Sequence, residues 1–292
     1  MSDDAYSSRK GFFYALGAYG LWGFLPLYFR LLDHVPAAEM IAHRILWSVP
    51  IALLVIGFQH RLGELKSLFS DKRIFSMMAI TAVLISLNWG IYVWAISVDR
   101  TAEAALGYYI NPLLTVVLGF ALLGEKLTRL QWAAVAIALA AVVLRTVAGG
   151  VFPWIAVSLA VLFAAYGYFR KTVAVGPTQG FLMEVVILSP FALAYIGWLV
   201  FQGESHFTFA NTDGGWMMFA GVVTAVPLIF YAYGAKLLRL TTLGLMQYIA
   251  PSMIFLIAIF VFKESMDFWQ SVTFAMIWFA LALYTWSLFK RG

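Results

Sequence analysis

Residues 107–125 read GYYINPLLTVVLGFALLGE, and residues 246–264 read MQYIAPSMIFLIAIFVFKE. Neither stretch carries a charge before its last two residues. Each is close to the roughly 20 helical residues that cross a bilayer core about 30 Å thick. Both place Tyr-Ile-x-Pro (109–112 and 248–251) thirteen residues ahead of an acid, Glu125 or Glu264. The offset of 139 also relates Tyr92 to Tyr231 and Gln131 to Gln270, and at an offset of 145 Glu39 meets Glu184. A register shared across several segments reads as an internal duplication.

The rest of the chain has the same character. Of 292 residues 63% are hydrophobic, only 11% are charged, and the mean hydropathy is +0.88. Soluble domains carry about 25% charged residues, so lipid is the solvent for much of this surface. A cytosolic enzyme, a secreted disulfide scaffold and a disordered regulator are excluded. The absence of cysteine excludes thiolate metal sites and thiol nucleophiles. The net charge of +5 is scattered singly at helix ends and forms no stripe for a nucleic acid.

Ten apolar runs follow one another at about 11–32, 36–58, 74–97, 101–123, 130–147, 151–170, 178–201, 214–236, 241–262 and 268–289. They are continuously apolar, without the dyad alternation of a β-barrel. The first is too long for a signal peptide and lacks a small-residue cleavage site. Only the connections at about 59–73 and 202–213 exceed ten residues. The expected class is therefore an all-α membrane protein of ten transmembrane helices. An even number puts both termini on one side. That side collects fourteen Lys and Arg against four on the other, with Arg44 inside a span, so it is the cytoplasm. The first five spans (1–147) and the second five (148–292) form two repeats. Five is odd, so the second repeat enters the membrane inverted, as in many secondary transporters whose site lies between the halves near the midplane.

The polar residues within spans mark the candidate site. Pro112 and Pro251 fall mid-span and deprive the Tyr108 and Gln247 carbonyls of their helical donors. Helix breaks at matching repeat positions point to a binding site, although packing alone also uses proline kinks. Arg44 costs roughly 2.5–3.5 kcal/mol in hydrocarbon, so it faces the interior with partners. There it holds a substrate carboxylate, neutralises Glu39, or ties down backbone carbonyls. Glu39 and His43 share one helix face and could exchange a proton; equally, Glu39 could be solvated near the outer mouth and His43 a packing residue. Trp22, Trp89, Tyr92, Tyr108, Tyr231 and Tyr248, with the amides of Asn88, Asn111 and Gln247, suit an amphipathic or cationic solute through stacking and cation–π contact, against plain helix packing as the alternative. No His-Glu-x-x-His pair, phosphate loop or metal cluster appears, so neither a cofactor nor an enzyme is expected.

Several segments resemble the RarD family, in the EamA branch of the drug/metabolite transporter superfamily. They are Tyr19–Phe29 (YGLWGFLPLYF), Val35–Glu39 with His43-Arg44 and Trp47-Ser48, Leu87–Ala95 (LNWGIYVWA), and Gly107–Leu113 through Glu125. The likeness is densest in the first half. It implies ten helices in two inverted five-helix repeats, a bacterial inner membrane, and transport of an amino acid, related metabolite or drug. It singles out the neighbourhoods of Trp22, Arg44, Asn88–Tyr92, Tyr108–Asn111 and Tyr231.

The leading expectation is an alternating-access carrier of a small polar or amphipathic organic solute, either a facilitator or proton-coupled. A channel or a lipid scramblase is the alternative. Partners are a small-molecule solute and the bilayer, with no nucleic acid; monomer and homodimer both stay open.

Overall fold

The computed structural model describes residues 3–97, 101–149, 154–210, 212–261, 263 and 268–289. Glu264, named above, lies outside them, as does the side chain of Gln270. The described residues form thirteen helices and no strand. These are α1 Asp3–Gly23, α2 Leu25–Arg30, α3 Ala37–Phe58, α4 Glu64–Ser70, α5 Lys72–Ser97, α6 Thr101–Leu123 and α7 Arg129–Gly149, then α8 Trp154–Thr172, α9 Pro177–Gln202, α10 Asp213–Leu237, α11 Leu240–Met246, α12 Ile249–Phe260 and α13 Phe268–Phe289.

The apolar runs are mostly helical where described. Among the described residues six stretches are long and apolar enough to cross a membrane: Ser8–Arg30, Ala37–Phe58, Lys72–Ala95, Arg129–Ala148, Pro177–Gln202 and Asp213–Leu237. Large side chains cover the outside, including Phe58, Phe191 and Phe201, each at least 74% exposed. An exterior of this kind is stable only against lipid.

Local signals set the helix ends. Asp71 Oδ1 accepts from the Arg73 and Ile74 amides at 2.9 and 3.0 Å and starts α5. Thr128 and Gln131 form a reciprocal capping box at the start of α7 (2.9 and 3.2 Å). Gly203 ends α9 in the left-handed region, at φ 71°.

The two prolines behave differently. Helix α6 runs through Pro112 without interruption. The equivalent segment splits into α11 and α12, and the split falls at Gln247–Tyr248, just before Pro251. Pro251 removes the donor for the Gln247 carbonyl and crowds it; the Gln247 amide is shared between the Leu243 and Gly244 carbonyls (3.2 and 3.3 Å), and the Tyr248 amide turns back to the i−3 carbonyl of Leu245.

Helix α3 packs on α9, α6 on α11, and α7 on α13. Helix α1 packs on α10 and α12, α8 on α5 and α6, α3 on α10, and α9 on α5. The largest core cluster sits among α1, α3, α5, α8, α9, α10 and α11. A second joins α6, α7, α11 and α13.

Candidate functional site

Arg44 lies in the second turn of α3. Gly221 of α10 brings the two helices together there, since a Cβ on it would stand 2.2 Å from the Trp47 carbonyl oxygen. Ser48 Oγ bridges the same contact, donating to the Arg44 carbonyl at 2.5 Å and lying 3.4 Å from that of Gly221. Thr224 sits one turn beyond Gly221, and Arg44 Nε donates to its hydroxyl at 2.9 Å. The guanidinium carbon lies 4.9 Å from the Trp89 ring centroid and 5.7 Å from that of Phe29. Tyr28, Tyr92 and Tyr108 complete its electrostatic surroundings, and the last two rings meet edge-on at 5.9 Å. Helices α2, α3, α5, α6 and α10 thus converge on one cation. Tyr108 is 45% exposed, and Arg44 is half-buried with neither Nη sealed from solvent.

Seven residues further along α10, about 10 Å away, an aromatic cluster fills the bundle. The Tyr231 ring lies 5.5–6.2 Å from those of Phe163, Trp22, Tyr166 and Tyr19, stacked on Tyr166. Its hydroxyl rests on Gly167, where a Cβ would stand 2.3 Å away. Behind it Tyr166 donates to Glu184 Oε2 (3.2 Å), and Arg170 Nη1 lies 3.6 Å from Glu184 Oε1. Arg170, counted from the sequence among the charges at helix ends, is 1% exposed and also donates to the Pro177 carbonyl at 2.7 Å.

Further toward the Lys/Arg-rich end the bonding continues. Lys171 of α8 donates to the Ala235 and Leu238 carbonyls, and Lys236 of α10 to the Val173 carbonyl. Each lysine thus caps the other helix's C-terminus. Glu125 accepts from the Leu240 and Thr241 amides at 2.6 and 2.9 Å and caps α11.

The EamA-like transporter family model matches residues 9–147. Protein RarD of Streptomyces exfoliatus is 38% identical over 285 residues, covering 97% of this chain and 90% of that one. The uncharacterized transporter YojE of Bacillus subtilis (strain 168) is 40% identical over 289 residues, covering 97% and 96%. This chain belongs to the RarD family, in the EamA branch of the drug/metabolite transporter superfamily. A solved crystal structure, 20% identical, superposes with a TM-score of 0.73 over 98% of this chain and 99% of that one, which shows a shared fold. As a RarD-family member the chain is a multi-pass membrane transporter, not an enzyme.

Other expected site residues fall elsewhere in this RarD-family bundle. Glu39 is fully buried, and the chain at Ser205-His206 lies over it. It accepts from Ser205 Oγ (3.2 Å) and the His206 amide (2.8 Å), and meets His206 Nδ1 at 2.7 Å. His43 Nε2 is 3.9 Å from the same carboxylate, and its ring stacks on Phe207 at 5.0 Å. Asn88 spends its amide on the Leu159 carbonyl at 2.9 Å, joining α5 to α8. The Asn111 side chain lies 3.4 Å from Thr115 Oγ1 within α6. Tyr248 donates to the carbonyl of Tyr109, its own repeat mate, at 2.9 Å. The Gln247 amide is buried beside the Tyr19 hydroxyl.

Sequence reading missed Thr224, Phe163, Ser205 and Phe207. None has a local signal, because each acquires its role from a partner far away in the chain. A shallow apolar groove bordered by Leu87, Gly90, Ile91, Trp94 and Trp154 opens on the outer surface and holds no charged group.

Proposed function

We propose that this chain is a carrier moving a small polar or amphipathic organic solute across the bacterial inner membrane by alternating access. In this reading the chain crosses ten times. Residues 1–147 and 148–292 form two inverted five-helix repeats, with both termini in the cytoplasm. The observation that carries it is the Arg44 chamber: one cation among aromatic walls, accessible, and separated from the Lys/Arg-rich end by the Tyr231 cluster and the lysine caps. A carrier needs such a site, closed toward one face at a time.

The pattern of helix contacts supports the duplication. Exchanging α1 with α8, α3 with α9, α5 with α10, α6 with α11–α12 and α7 with α13 turns each pairing described above into another pairing that is present. The count of Lys and Arg supports the orientation, since the sealed end is the basic one. Glu39 and His43 stand as coupling candidates, and His206 joins them by contact with the Glu39 carboxylate.

The test is reconstitution into liposomes, using a labelled solute chosen by thermal-shift screening of amino acids, organic acids, organic cations and antibiotics. Saturable counterflow supports the carrier. Ohmic current without counterflow would replace it with a channel, and headgroup transfer without counterflow with a scramblase.

A further inference from the structure

The chemistry around Arg44 narrows the solute. A guanidinium has a π-face on each side and a fork of five donors in its plane. Here the guanidinium carbon lies over the Trp89 and Phe29 rings, and its one hydrogen bond among the described residues runs from Nε to a neutral hydroxyl. No described residue hydrogen-bonds either Nη group, and neither is sealed from solvent. The donors that match a planar anion are therefore unspent, while the aromatic surface is already engaged by the protein's own cation.

The nearest acid along α3, Glu39, is committed to Ser205 and His206. Among the described residues no carboxylate approaches Arg44; its charged-state neighbours are tyrosines. A cationic solute would meet uncompensated positive charge and aromatic faces already occupied. A zwitterion would satisfy Arg44 with one end and leave its ammonium without a counter-charge, which is costly away from water. A dianion would meet one cation among the described residues. A monoanion attached to an apolar or aromatic body answers each of these terms, with its carboxylate on the Nη fork and its body against the tyrosine walls.

We propose that the Arg44 chamber selects organic monocarboxylates over amino-acid zwitterions and organic cations. This rests on the carrier reading for its location and deepens it by naming the substrate class. It replaces the cation–π preference expected from the aromatic content alone, because the cation in those contacts is Arg44 itself.

The test compares four probes with one skeleton by equilibrium binding to the detergent-purified protein: 3-phenylpropionate, 3-phenylpropanamide, phenylalanine and 3-phenylpropylamine. The carboxylate should bind saturably and at least about tenfold more tightly than the amide or zwitterion, as expected for a charge-assisted bond, and the amine should not bind. Arg44→Gln should erase the preference, and Arg44→Lys should keep part of it. Should the variants fail to fold, modification of wild-type Arg44 by phenylglyoxal, read by mass spectrometry, gives the same information; 3-phenylpropionate should protect it and 3-phenylpropylamine should not. The proposal is overturned by equal or tighter binding of phenylalanine or the amine, by no saturable carboxylate binding, or by an Arg44 that no carboxylate protects. Carboxylate binding without counterflow in liposomes would sink the carrier reading and leave the ligand class standing.

Discussion

Arg44 is retained in an apolar bundle because cation–π contact stabilises it without consuming its donors. Replacing it with Ala should abolish transport while size-exclusion still shows a monodisperse protein, since among the described residues its side chain hydrogen-bonds Thr224 alone. Unaltered flux would remove it from the site. Thr224→Ala removes the one tether on the guanidinium. It should weaken solute affinity several-fold with little change in unfolding temperature, measured by binding and thermal denaturation side by side. Glu39 differs, being buried and held by three groups of a distant loop. If it carries a coupling proton, Glu39→Gln abolishes the pH dependence of flux; an unchanged pH profile clears it of that role. Arg44 was legible in sequence because a charge within an apolar run is conspicuous. Thr224 and the His206 loop were not, since a hydroxyl and a polar connection acquire meaning only from partners some 170 to 180 positions away.

At the scale of elements, helix contacts depend on where side chains are missing. A side chain at Gly221 would collide with backbone, not with a flexible tip. Gly221→Val should cost about 1–3 kcal/mol or more and displace Thr224 from Arg44, seen as a lowered unfolding temperature together with lost binding. The helical character of the apolar runs was readable because continuous apolarity over about 20 residues has one structural solution in lipid. Proline was a poorer guide. Both Pro112 and Pro251 deprive a carbonyl of its donor, yet only the second segment divides, because tertiary packing decides whether the neighbouring turn yields. On α6 the Pro112 carbonyl packs where Gly244 admits α11 closely, at 2.9 Å from a Cβ position. Outside the spans, the hydrogen bond from Arg61 holds the Glu64 carboxyl below its ordinary value of 4.5. A lowered folded value means that the interaction is fully present above that range and is lost as pH falls through it. Hydrogen exchange in 59–70 should therefore quicken in acid, and Glu64→Gln should remove that pH dependence.

The two ends of the molecule are held by different chemistry. The basic end uses lysine–carbonyl caps and the Arg170–Glu184 pair. The other uses the Glu39 loop, a Tyr28 hydroxyl on the Trp216 carbonyl (2.8 Å) and a His34–Asp213 contact (3.0 Å). Lys171→Gln with Lys236→Gln should weaken the first closure and shift accessibility toward the basic end. The chain has no cysteine, so one engineered thiol reports without background. The most direct measurement is Tyr108→Cys in oriented vesicles, treated from each face with a membrane-impermeant thiol reagent. Alternating access requires labelling from both faces, with the rates changed in opposite directions by the double lysine substitution. A thiol reached from neither face, or from one face under every condition, would contradict it.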